Sequence, residues 1–309
     1  MIKPRNVTCD YNKARVIALL LSLCVALTAL TVSAGQNKRR QDRPQSSHLR
    51  ESLSAEEREL VDRAITVVCL ERVKDPKGSW PIDDMQGRPS IPVGRPEAVA
   101  GAERAKKLLP LAKELVISEL QELAKRYGYV SRAASVKLSR ALNRVRSVNR
   151  IKPDMESRDN ASVVLRIPHT ITFGTIFLAG LPSDEGMISV IAHELTHIAD
   201  GDDDSLKPLF RMIGDRATNL ISVPVHGQRA EELTGDLIGA MAARTFVARE
   251  PSYEPLPRRI ARSVQHNCVE EDEGDEDHLS PRNTIRAVMA LDPLLTRELV
   301  YGREEKRVP

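Results

Sequence analysis

The stretch Ser189-Val190-Ile191-Ala192-His193-Glu194-Leu195-Thr196-His197-Ile198-Ala199-Asp200 decides how the chain is read. Two histidines four residues apart fall on one face of a helix, a turn from each other, so one ring nitrogen of each can reach a single metal ion. Glu194 between them can reach a water on the open side of such an ion. A catalytic zinc needs this arrangement: three protein ligands, a displaceable water, and a carboxylate that takes the water's proton. The helix is predicted without its histidines. Met187, Ile188, Ile191, Leu195 and Ile198 recur at helical spacing, Ser183 or Asp184 can cap the start, and Gly201 can end it.

A third ligand is expected in Arg229-Ala230-Glu231-Glu232-Leu233-Thr234-Gly235-Asp236-Leu237-Ile238-Gly239-Ala240. On a helix Glu232 and Asp236 share a face. Glu232 can supply an oxygen ligand, and Asp236 can accept the far N–H of a ligand histidine and fix its tautomer. Glu231 is the rival ligand but has no acid four residues further on. Gly235, Gly239, Ala240 and Ala243 leave one side of this helix nearly bare, so it can approach the first helix closely.

His193-Glu194-x-x-His197 followed by Arg229-x-x-Glu232-x-x-x-Asp236 resembles the gluzincin metallopeptidases of the CAAX prenyl protease and HtpX type. Asn160-Ala161 ahead of two strand-like runs, Gly174-Thr175-Ile176-Phe177 with the Gly180-Leu181 turn, and Pro281 followed five residues later by Arg286 match as well. The likeness covers about residues 155 to 292. It departs at Gly235, where the family usually has alanine. It departs again at Ser280, where a histidine usually precedes the proline; His278 stands two residues earlier. The resemblance implies an α+β, helix-rich zincin-like fold with a small sheet beside the metal helix. It also implies one zinc ion on His193, His197 and Glu232, with Glu194 as general base and Asp236 orienting an imidazole. Arg286 and His278 are the candidates to steady a developing oxyanion. The expected function is endoproteolysis of exported, unfolded or misfolded polypeptides. The alternative is a zinc-stabilised binding or chaperone-like protein with little turnover.

Composition fits a globular chain of 309 residues, with 41% apolar and 29% charged residues. Aromatics at 3% leave aliphatic helix packing to build the core, and a net charge of +3 does not point to nucleic acid. Lys3, Arg5, Lys13 and Arg15 precede an apolar run from Val16 to Val32, and Val32-Ser33-Ala34 offers small residues for cleavage. Residues 1–34 therefore read as a secretory signal peptide, with an uncleaved anchor as the alternative. Membrane contact is expected only through that leader, if it is retained. The localisation that follows is periplasmic or secreted. Cys69 and Cys268 would remain, as one disulfide or as two unrelated thiols.

The expected organisation is a polar tether over 35–53, a helical region over 54–154, the catalytic domain over 155–300 and a charged tail over 301–309. Ser54 and Glu57 form a capping box. Residues 75–95 are a proline- and glycine-rich loop holding Trp80, either a packing anchor or part of a lid. Pro96 opens a helical region to Gly128, interrupted or kinked at Pro110. A helix from about Ser131 to Val148 carries a basic side: Arg132, Lys137, Arg140, Arg144 and Arg146, continued by Arg150 and Lys152. That side is a solvated face or a site for anionic lipid or acidic substrate.

Val163–Ile167 and Ile171–Leu178 read as strands, the second expected to supply a sheet edge for an extended peptide, with an interior strand as the alternative that Gly174 does not decide. Asp200, Asp202 and Asp204 imitate the start of a calcium loop, but Ser205 and Arg211 stand where its glycine and glutamate belong. A looser calcium site is the remaining expectation there. His169 and His226 read as surface or loop residues. Glu270 to Asp277 is an acidic, solvated loop, and helix follows from about Pro281 to Leu299 with a break at Pro293.

Overall fold

The computed structural model describes residues 52–73, 89–158, 160–164, 167, 169–180, 183–249 and 274–302. The leader, most of the tether, Trp80, Cys268, the acidic run before Gly274 and the tail from 303 lie outside the described residues, as does the side chain of Cys69. The elements in chain order are α1 (Ala55–Val73), α2 (Pro96–Arg126), α3 (Arg132–Ser147), β1 (Arg150–Asp154), β2 (Ala161–Val163), β3 (Thr170–Gly174) and α4 (Thr175–Gly180). They continue with α5 (Asp184–Asp200), α6 (Lys207–Ile221), α7 (Gln228–Arg249), α8 (Pro281–Leu291) and α9 (Pro293–Tyr301). This is an α+β chain dominated by helix.

Local chemistry sets most helix ends. Ser54 N–H donates to the Glu57 carboxylate at 2.7 Å while Glu57 N–H donates back to Ser54 Oγ at 3.2 Å, the reciprocal pair expected from the sequence. Ser131, Ser183 and Ser280 each accept an N–H three residues on, capping α3, α5 and α8. The choice between Ser183 and Asp184 thus falls to Ser183; Asp184 instead pairs with Arg104. The break at Pro293 is present, with buried Asp292 accepting from Leu295 N–H and gripped by Arg244 at 3.0 Å. Pro110 does not end α2, which runs through it. That residue is exposed, so the carbonyl left without a partner one turn back faces water.

The sheet differs from the sequence expectation. Its order is β1-β3-β2, with β1 parallel and β2 antiparallel to β3. The run from Ile171 is therefore the interior strand, and the edges are β1 and β2. Ile171 and Phe173 are fully buried, and so few exposed positions in β3 suit a strand covered on both faces. Beyond Gly174 the chain turns into α4, so 175–178 is helix rather than strand. Strand β1 escaped the sequence reading because Pro153 interrupts its pattern; Pro153 sits where only one neighbour needs its backbone.

The sheet and α2, α3 and α7 surround α5, whose Met187, Ile188, Ile191, Leu195 and Ile198 have no solvent exposure. The core is one continuous cluster that takes Val61 and Leu115 from the first half of the chain and Leu237 and Leu295 from the second. Helix α1 packs on α8 and α9, where the Arg63 guanidinium lies 5.1 Å above the Tyr301 ring. Among the described residues no helix is long and apolar enough to cross a membrane.

Candidate metal centre

Helix α5 carries the two histidines in its last two turns and stops right after them. Gly201 takes φ +64°, a backbone conformation that favours glycine, and its N–H returns to the His197 carbonyl. Arg144 from α3 donates from Nη1 to the carbonyls of Ala199 and Asp200, both at 2.6 Å. A cation there complements the negative end of the helix and holds the histidine-bearing turn in place.

Helix α7 lies against α5 with almost no side chain between them. A Cβ placed on Gly235 would come within 2.9 Å of His193 Nδ1, and one on Gly239 within 2.7 Å of the Ser189 carbonyl oxygen. The space an alanine methyl would fill at 235 is occupied by the His193 ring, which accounts for glycine there. Gly235→Ala is expected to displace that imidazole, weaken metal binding and cost ~1–3 kcal/mol of stability through overpacking. Metal titration and thermal unfolding of the variant check this; unchanged metal affinity would contradict the close approach.

The three expected ligand groups converge. His193 Nε2 and His197 Nε2 are 3.1 Å apart, and Glu232 Oε2 lies 3.2 Å from the first and 3.6 Å from the second. Among the described residues these three are the group placed to hold a metal ion. The opposite ring nitrogens are both satisfied. His193 Nδ1 meets Asp236 Oδ1 at 2.9 Å, as expected, and His197 Nδ1 meets Glu231 Oε1 at 2.8 Å. Glu231 is thus no rival ligand: it does for His197 what Asp236 does for His193. Gln228, one turn before Glu232, donates to its Oε1 at 3.0 Å and leaves Oε2 facing the imidazoles.

Each carboxylate partner fixes a tautomer with the proton on Nδ1 and the lone pair on Nε2, aimed at the shared point. Glu231→Gln and Asp236→Asn are each expected to lower metal affinity ~10–100-fold, and Glu232→Ala to lower it further by deleting a ligand. Competition with a calibrated chelator measures all three. Equal affinity in wild type and Glu231→Gln would show that the His197 contact orients nothing.

Electrostatics agree with the geometry. Burial works against charge on both imidazoles, but the Asp236 and Glu232 contacts hold the His193 pKa well above its ordinary value. Burial is likewise outweighed at His197, where Glu231 and Glu232 raise the pKa to about 9. Glu232 is also penalised by burial, yet hydrogen bonds from the two histidines keep it far below the usual carboxylate range. Glu194 is only 6% exposed, and burial pushes its carboxyl upward against the opposing pull of the histidines.

These groups line a cleft of about 670 Å³. One wall is Asn160, Ala161 and Val163 at the β2 edge; another is a turn bridged between Gly274 and Leu279. Asp275 organises that turn by accepting the N–H groups of Asp277 and His278, and its carbonyl accepts from the Arg229 guanidinium. His278 lies on the rim, its Nδ1 3.1 Å from Asp275 and its Nε2 3.7 Å from Glu232 Oε2. Arg286, half-buried on α8, is not among the residues lining the cleft. His169 contacts Ser147 and His226 lies 3.5 Å from Asp215, both away from it.

Among the described residues the aspartates at and after the end of α5 do not converge as a group of metal ligands. Asp200 accepts from Leu206 N–H, Asp203 is held by Arg144 and Ser205, and Asp204 pairs with Lys207. Arg229 belongs to the sequence motif without a role assigned there, and Gln228 is signalled only by its i, i+4 spacing to Glu232.

Comparison with known families, characterised proteins and solved structures returns no match to this chain.

Proposed function

We propose that the protein is a zinc-dependent endopeptidase of zincin type that acts on exported, unfolded polypeptides. The observation that carries this reading is the triangle of Nε2, Nε2 and Oε2, with sides of 3.1, 3.2 and 3.6 Å. A tetrahedral ion with bonds of ~2.0–2.1 Å needs ligands ~3.3–3.4 Å apart, so the triangle matches one face of zinc's coordination shell. The three groups and Glu194 line the same cleft.

When bound, zinc would acidify a water and polarise a peptide carbonyl. Glu194 accepts the water's proton on its carboxylate and returns it to the leaving amine, a role suited to an acid whose pKa is raised by burial. Asp236 and Glu231 keep the two imidazoles aimed. His278, on the rim 3.7 Å from Glu232, is the better placed of the two oxyanion candidates, since Arg286 does not line the cleft. An extended substrate can add to the β2 edge by backbone hydrogen bonds, which requires an unfolded segment. The leader-like N-terminus supports export of the enzyme.

Elemental analysis of the purified protein is expected to find one zinc per chain. Casein hydrolysis should stop on chelation and return with zinc. Stoichiometric zinc without hydrolysis would favour the binding or chaperone-like alternative, and absence of metal would dismiss both.

A further inference from the structure

We propose that the exposed face of α3, continued by the outer strand β1, docks the protein on an anionic phospholipid surface. Residues 130–152 hold seven of the chain's 46 basic residues and none of its 43 acidic ones. The rest of the chain is therefore net acidic, and the charge is segregated. Two of the seven are engaged: Arg144 with Asp203 at 2.5 Å and Arg140 with the same carboxylate at 3.7 Å. Among the described residues no carboxylate lies within ion-pair distance of Arg132, Lys137, Arg146, Arg150 or Lys152. Arg146 meets only the neutral side chain of Asn143. Asp154, the acid that closes β1, is turned into Ser157.

Geometry makes this a surface rather than a scatter of charges. Arg132, Val136, Arg140 and Asn143 follow one exposed stripe of α3, opposite the buried Ala134, Ala141, Leu142 and Val145. Arg150 and Lys152 alternate with buried Ile151 on β1, so both point outward. Two aliphatic side chains protrude among the cations: Val130 is 62% exposed and Val136 is 49% exposed.

Lysines and arginines around protruding aliphatics suit a lipid headgroup layer, where the charges meet phosphates and the valines enter the acyl boundary. Nucleic acid fits less well, because residues 130–152 contain no aromatic side chain on which a base could stack. The cleft adds a functional consequence. The sheet order puts β1 and β2 at opposite edges, and β2 is the edge that lines the cleft. Docking through β1 leaves the substrate edge free. From sequence this side is open between a solvated face and a site for anionic lipid or acidic substrate; as a lipid site it supplies a contact that does not depend on whether the leader is cleaved.

The test is co-sedimentation of the full chain with phosphatidylcholine vesicles, with and without one-third phosphatidylglycerol. The comparison is wild type against Arg132→Gln/Lys137→Gln/Arg140→Gln/Arg146→Gln. Each cation near an anionic surface contributes about fivefold, so partitioning of the variant onto anionic vesicles should fall at least ~10-fold while neutral vesicles show no difference. The N-terminal segment is identical in both proteins, so the difference reports this face alone. Val130→Ser/Val136→Ser is expected to weaken the binding that survives high salt. Circular dichroism verifies that the variants fold, and cleavage of soluble casein should be unchanged, which separates this proposal from the peptidase assignment. Equal binding of wild type and the four-site variant to anionic vesicles would overturn it. So would tighter binding to an oligonucleotide or an acidic peptide than to the vesicles.

Discussion

Glu194→Gln is expected to keep its full complement of zinc and to lose casein hydrolysis by ~10²–10⁴-fold, the usual contribution of a positioned general base. The substitution changes almost nothing but the proton. Glutamine has the shape of glutamate, and Glu194 is not among the three groups that converge on the metal position. Its carboxyl is buried at the cleft wall with a raised pKa caused first by desolvation, so the amide removes a charge the fold has to tolerate. Stability should be unchanged or slightly higher, since an isosteric neutral group avoids that desolvation penalty. Zinc content, melting temperature and initial hydrolysis rate answer separately. A variant that holds zinc yet cleaves within about tenfold of wild type would remove Glu194 from the chemistry, because general acid–base catalysis contributes more than that.

Metal affinity should fall steeply with acid. In the metal-free protein the imidazoles hold protons more tightly than free histidine, His197 with a pKa of about 9 and His193 shifted in the same direction. Metal requires their lone pairs, so binding must expel protons. With one to two protons released per ion, affinity should rise ~10–100-fold per pH unit between pH 6 and 8, with a shallower rise once pH passes the His197 value of about 9. Chelator competition at several pH values measures the slope, and a pH-independent constant would contradict the carboxylate-held imidazoles. The metal-free fold should show the opposite trend. A raised histidine pKa contributes stability that is complete below the unfolded value near 6.5 and is lost as pH rises through about 9. Thermal unfolding of the metal-free protein at pH 6 and pH 9 should therefore show the lower midpoint at pH 9 from this source.

Parts of the molecule that depend on near neighbours in the chain were legible from the residues. Ser54 with Glu57, Gly201 after α5 and the break at Pro293 are features within about one turn and stand where the sequence placed them, and Ser183 is one of the two caps it offered for α5. The spacing of His193 and His197 and of Glu232 and Asp236 belongs to the same class, because a helix alone puts each pair on one face. What failed was local preference overruled by burial. β-branched residues at 175–178 went into a helix, and proline-containing 150–154 went into a strand, because the sheet and the helices over it required those forms.

Period and capping act over a few residues, and so the residues alone placed the ligand faces of both helices and the two ends of α5. Packing between distant segments was needed to decide which strand lies inside the sheet, that Glu231 serves His197, that Gly235 yields its space to an imidazole, and that His278 rather than Arg286 lines the cleft. Those outcomes depend on distances between segments far apart in the chain, fixed when α5 and α7 close to backbone contact around the core.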